Sequence, residues 1–173
     1  MASFESTLNR VAVHDLVIQS EKNELLVGTH GRSIYKTKLN VFTHFLNEHN
    51  QNKNLTIFKI DDIRHSSSWG RTINYSDEVI KTLIEATVYS NQDTTLNYSI
   101  TDKDNNILNQ GELKLDKGFN LVEVMPIINT SMNEKKLRKM GLSSRKSDDG
   151  NIYLSKGEYR LNISDFSRDF LVK

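Results

Sequence analysis

Three groups of residues in this 173-residue chain have types and spacings that could do chemistry. Carboxylates come first: Asp61-Asp62 and Asp148-Asp149 are adjacent pairs, and Glu85 stands alone on a polar strand face. Hydrolysis of a glycosidic bond needs two carboxyl groups facing each other across the substrate, about 5–10 Å apart. Sequence neighbours point to opposite sides of a strand or sit in a turn, so both pairs read as turn and loop residues and Glu85 as a solubility residue. Histidines come second. His44 and His49 are five apart, which does not stack them on one helix face, whereas His14 and His30 fall on neighbouring strands with Asp15 beside the first. Without a third convincing ligand this does not make a zinc site. His14-Asp15 and His30-Gly31-Arg32 read instead as residues that fix turns by hydrogen bonds, with Gly28 and Gly31 supplying a bulge or a positive φ.

The third group surrounds the single tryptophan, in Ser66-Ser67-Ser68-Trp69-Gly70-Arg71. An exposed Trp69 beside Arg71, with Tyr75 or Tyr89 nearby, would suit stacking on a sugar ring; a lone Trp in a linker more often fills the gap between packed units. The serines lack the GxSxG elbow of a hydrolase. Neither GxGxxG nor GxxxxGK is present, so the glycines form no phosphate loop.

Composition narrows the classes. Lys and Arg number 23 against 22 Asp and Glu, a formal charge of +1 that gives no global attraction for nucleic acid or anionic lipid. Cysteine is absent, which excludes disulfide scaffolds, thiolate zinc sites and cysteine nucleophiles. One Pro and 8 Gly exclude collagen-like and Pro/Gly-rich disordered classes. No apolar run approaches the ~20 residues of a membrane span.

These residues need elements to hold them. Val11–Ile18, Leu25–Thr29 and Ser33–Thr37 are short β-branched runs separated by turn residues, a three-strand antiparallel meander. Such a meander is too small to stand alone and must pack on something. Leu39, Val41, Phe42, Phe45 and Leu46 then fall near helical spacing, with Asn40 as N-cap. A strand at Leu55–Ile60 and the Trp69 loop follow.

From Val79 onward, alternating runs recur at about ten-residue intervals with a turn between each, the pattern of an immunoglobulin- or fibronectin-like sandwich. Asp104-Asn105-Asn106 and Asp116-Lys117-Gly118 are two of the turns. A short helix is expected from a Ser131…Glu134 capping box to Gly141, with Lys135, Lys136, Arg138 and Lys139 on a solvated face. Ile152–Leu154 and Tyr159–Ile163 are expected to form the last hairpin. The chain thus reads as all-β with two short helices: a meander over 1–38, a helix, strand and linker over 39–78, and a β-sandwich over 79–173.

Two segments resemble a known family. Val13-His14-Asp15-Leu16-Val17-Ile18-Gln19 with Leu26-Val27-Gly28-Thr29-His30-Gly31-Arg32-Ser33-Ile34-Tyr35 is similar to the closing blade of bacterial BNR-repeat, glycosyl-hydrolase-like propeller proteins of the sialidase and sortilin-like group. Asp149-Gly150-Asn151-Ile152-Tyr153-Leu154-Ser155-Lys156-Gly157-Glu158-Tyr159 resembles the end of the β-sandwich that follows the propeller there. The resemblance implies that residues 1–38 are a partial last blade, that the chain is a piece of a longer protein, and that the parent is exported. The Asp-box Ser-x-Asp-x-Gly-x-Thr-Trp occurs nowhere in the chain. Any catalytic carboxylates of such a parent would lie in the propeller, so the resemblance carries over no catalytic residue.

The expectation is therefore a non-catalytic accessory domain, with a carbohydrate-binding module using Trp69, Arg71 and Tyr75 as the alternative and a glycoside hydrolase as a remote third. No cofactor, metal, nucleic acid or membrane span is expected. The expected partners are the parent's propeller, a carbohydrate, and a second copy joined through the bare strand edges of the first blade.

Overall fold

The computed structural model describes residues 12–31, 33–39, 54–73 and 78–173. The expected helix around Phe42 and Phe45, together with His44, His49, Arg32 and Tyr75, lies outside the described residues. Within them the chain is all-β, with ten strands and one short helix.

β1 (Val13–Gln19), β2 (Glu24–Thr29) and β3 (Ile34–Lys38) form an antiparallel three-stranded sheet in chain order. Their register sorts the side chains onto two faces. Leu16, Val27 and Tyr35 are aligned across the strands, as are Ile18, Leu25 and Thr37, which makes one face almost wholly apolar. The other face carries Val17, Leu26 and Lys36, then Gln19, Glu24 and Lys38; Lys36 pairs with Glu24 at 3.3 Å. Leu16 and Ile18 remain 60% and 63% exposed, and Val27 in the middle of the apolar face is buried. The extensive contacts of these strands are with one another.

The other seven strands build a sandwich. β4 (Leu55–Ile60), β5 (Ile84–Ser90) and β8 (Gly118–Val124) form one antiparallel sheet. The second contains β6 (Thr94–Asp102), β7 (Ile107–Leu115), β9 (Gly157–Ile163) and β10 (Phe166–Val172), in the order β10-β9-β6-β7. The chain crosses between sheets after β5, β7 and β8, the Greek-key wiring of an immunoglobulin-like sandwich. Alternation explains the core. Ile84, Ala86 and Val88 of β5 point inward as expected, and meet Ile100, Leu161 and Ile163 of the facing sheet in one buried cluster. After β4 the backbone runs parallel to the end of β10, with Ile63 N–H donating to Leu171 O at 2.9 Å and Lys173 N–H to Ile63 O at 2.9 Å.

Three local expectations need correction. The strand expected at Leu55–Ile60 within the 39–78 segment belongs to the sandwich, because it pairs with β5 on either side of an irregularity between Ile57 and Ile60. The last hairpin is β9–β10, turned at Ser164 with φ 51°, and Ile152–Leu154 is outside it. The missed strand, Phe166–Val172, alternates poorly: Ser167, Arg168 and Asp169 interrupt its apolar residues. The helix, α1 (Glu134–Lys139), is capped by Asn133, whose side chain accepts the Lys136 N–H at 2.8 Å, and not by Ser131. Its other end matches expectation: Gly141 takes φ 72° and Leu142 N–H reaches back to Leu137 O at 2.9 Å.

Candidate functional site

Two long connections leave the same end of the sandwich. Ile84 begins β5 and aligns with Val124, which ends β8; Ile60 ends β4 and aligns with Ala86. The 61–83 connection after β4 and the 125–156 connection after β8 must therefore emerge side by side. They carry, respectively, the Trp69 loop and the Asp149–Tyr153 segment, which are far apart in sequence.

Backbone and side-chain bonds knit the two together. Asp149 N–H donates to Gly70 O at 3.1 Å, the Ser147 hydroxyl donates to Trp69 O at 2.8 Å, and Thr72 N–H donates to Asp148 Oδ2 at 3.0 Å. Gly70 sits at the contact point with φ 69°, a conformation that favours glycine. A Cβ there would lie 2.6 Å from Asp149 Oδ1 and closer still to the Tyr153 ring. Tyr153 is placed by a short bridge inside its own connection: Ile128 N–H donates to Ile152 O and Leu154 N–H to Pro126 O, each at 2.8 Å.

Asp149 is the hub. Its carboxylate accepts Asn151 N–H at 3.0 Å, the Asn151 side-chain amide at 2.9 Å and the Tyr153 hydroxyl at 2.7 Å. Burial by itself would raise this carboxyl; the three hydrogen bonds favour the charged form more strongly and hold it below its ordinary value. Tyr153 responds oppositely, pushed up to about 12 by burial and then by the Asp149 bond and charge. Neither group is poised for proton transfer near neutral pH.

Between the two connections lies a cleft of about 500 Å³. Trp69 contributes to its wall but is only 5% exposed, packed against His65 and Tyr153 with ring centroids 5.3 and 5.9 Å away. Stacking on a sugar needs an open ring face, and this ring fills the gap between the loops and the core. Arg71 is exposed and lines the cleft. Facing it are Arg145, Lys146, Lys156 and Tyr153, none of which the sequence had singled out as site residues. The only signal for them was the Asp149-Gly150-Asn151 turn beside an aromatic residue in a basic loop; some seventy residues of intervening chain hide the juxtaposition from any periodicity.

Three aspartates elsewhere are engaged in structure. Around a second hollow of about 380 Å³, Asp169 pairs with Arg160 at 2.6 Å and Asp62 with Lys173 at 2.7 Å, while Asp102 accepts the Asp104 and Asn106 N–H groups of its own turn. Asp62 also accepts Leu171 N–H at 3.0 Å, so it serves the β10 edge. Among the described residues no three His, Asp or Glu gather as a metal site would need, and no helix is long and apolar enough to cross a membrane.

In the meander, His14 occupies an irregularity between Val13 and Asp15, and its ring lies 4.9 Å from that of His30. Among the described residues, Thr29 Oγ1 donates to Ser33 O at 2.7 Å and Thr29 N–H to the same oxygen at 3.2 Å across the β2–β3 turn, and His30 N–H donates to Ala12 O at 3.0 Å. Asp15 caps Leu16 N–H at 2.9 Å, Gly28 lies opposite Asp15, and Gly31 adopts φ 75°.

No protein-family model matches this chain, and no curated protein matches it.

Proposed function

We propose that this chain is a non-catalytic accessory part of a larger BNR-repeat, glycosyl-hydrolase-like protein, with β1–β3 as a partial last propeller blade and the sandwich as the domain that follows it. One observation carries the reading. The meander is a sorted two-faced sheet whose apolar face, centred on Leu16, Ile18, Leu25 and Val27, leaves Leu16 and Ile18 open, as a blade does when its neighbour is supplied from elsewhere. The sandwich closes its own core, and Asp62, Asp102, Asp149 and Asp169 are committed to turns and ion pairs. The experiment has two readouts. The coding sequence upstream of Met1 should continue in frame into repeated blades, and the purified chain should leave chromogenic glycosides intact. Hydrolysis lost on a single carboxylate substitution would overturn the proposal.

A second reading, a glycan-binding module, is favoured by the cleft between the two connections. It uses Arg71 as the sequence reading does, but replaces Trp69 stacking with the polar lining opposite.

A further inference from the structure

We infer that the cleft between the 61–83 and 125–156 connections binds an acidic saccharide through its oxyanion group. The inference rests on the glycan-binding reading and narrows it to a charge class.

Its first support is the balance of charge. Arg71, Arg145, Lys146 and Lys156 converge on one concavity from both connections, and none of them forms an ion pair among the described residues. The chain as a whole is nearly neutral at +1, so four cations around one cleft are a local feature. Among the described residues the only carboxylate on the wall, Asp148, already accepts Thr72 N–H.

The second support is the state of the hydroxyls. Ser66 Oγ accepts Ser68 N–H, Ser143 Oγ accepts Arg145 N–H and Ser155 Oγ accepts Ser143 N–H, each at 3.1 Å. A hydroxyl whose oxygen is used as an acceptor retains its proton as a donor. Guanidinium, ammonium and hydroxyl donors therefore outnumber free acceptors on this surface, and a ligand that satisfies it must bring acceptors: a carboxylate or sulfate, and sugar oxygens for the serines. The third support is shape. About 500 Å³ lies within the range of small-ligand sites and accommodates one or two sugar rings. The floor is built from both connections, because Asp149 N–H donates to Gly70 O across them and the Tyr153 hydroxyl donates to Asp149.

Calorimetric titration of the full chain tests this with three probes: a glucose–glucuronic acid disaccharide, its neutral glucose counterpart, and inorganic sulfate. The acidic disaccharide should bind more tightly than either other probe. Arg71→Gln with Arg145→Gln should weaken it at least tenfold, while Lys135→Gln with Lys139→Gln on α1, the same change in net charge, should leave binding unchanged. Unaltered thermal unfolding of both variants establishes that the fold is retained. Equal binding of the neutral disaccharide would overturn the acidic specificity and leave the glycan reading standing. Sulfate binding as tightly as the disaccharide would overturn the saccharide part. Equal loss in the α1 variant, or no binding of any probe, would overturn the site itself, and with the second outcome the glycan reading too.

Discussion

The meander and the sandwich are written in the same alternating pattern, yet Ile18 of β1 is 63% exposed while Ile84, Ile100 and Ile163 of the sandwich are fully buried. Period-2 hydrophobicity says that a strand has an apolar face; it does not say what covers that face. In the sandwich, two sheets cover each other and the residues between them share one core cluster. In the meander, three strands sort their side chains just as cleanly and Leu16 and Ile18 still face outward. Two regions with the same code thus have different energetic standing: one holds itself together by burial, and the other presents surface for something else to bury.

Truncation separates the two regions most strongly. Leu161→Ala in β9 removes a fully buried side chain from the core and should cost about 2–5 kcal/mol, read by urea unfolding at constant m-value. Leu16→Ala in β1 should change stability by less than about 0.5 kcal/mol, since an exposed side chain leaves no cavity. Equal costs would erase the distinction. Next in size is Gly70→Ala. A positive φ together with a Cβ in the space of Tyr153 and Asp149 should cost about 1–3 kcal/mol and loosen the cleft floor, visible as a fall in unfolding midpoint.

Titration sharpens the comparison further. Tyr153 and Tyr159 are both pushed up to about 12, chiefly by burial, from an ordinary value of 10.0. Their contribution to stability is complete below pH 10 and is lost as pH rises from there toward 12. Asp149 runs the other way: its depressed carboxyl contributes above the ordinary carboxylate range, and the contribution is lost as pH falls through that range. Thermal unfolding against pH should show both limbs, with Tyr153→Phe flattening the alkaline one and Asp149→Asn the acid one. A small stabilising effect concerns Thr56 of β4, whose buried hydroxyl has no hydrogen-bond partner among the described residues. Thr56→Val should stabilise the sandwich by roughly 0.5–1 kcal/mol, because an isosteric methyl carries no desolvation penalty.

Much of the fold was legible because its signals are local. The alternation of Ile84, Ala86 and Val88, the turn at Asn105 with φ 61° and the turn at Gly118 with φ 118° can each be read within a few residues. β10 was not legible, because Ser167, Arg168 and Asp169 break its pattern and only pairing with β9 makes it a strand. The Ser131 cap failed for a related reason: capping-box spacing is a statistical cue, and Asn133 offered a carbonyl oxygen two residues nearer the helix. The cleft was the least legible part. Arg71 and Lys146 meet because β4 and β8 end on the same side of a Greek key, a fact of topology with no trace in either local segment. Trp69 stood out by its type, yet type alone did not say that its ring would be turned into the core.

The difference between the two regions can be measured in one hydrogen-exchange experiment on the full chain. Amides of β5, β6 and β9 should exchange only through global unfolding, while those of β1–β3 should exchange faster by at least about a hundredfold, because local opening of the meander exposes little that was not exposed already. Protection of β1–β3 equal to that of β5 and β9 would mean that the chain covers its own meander, and would contradict the account.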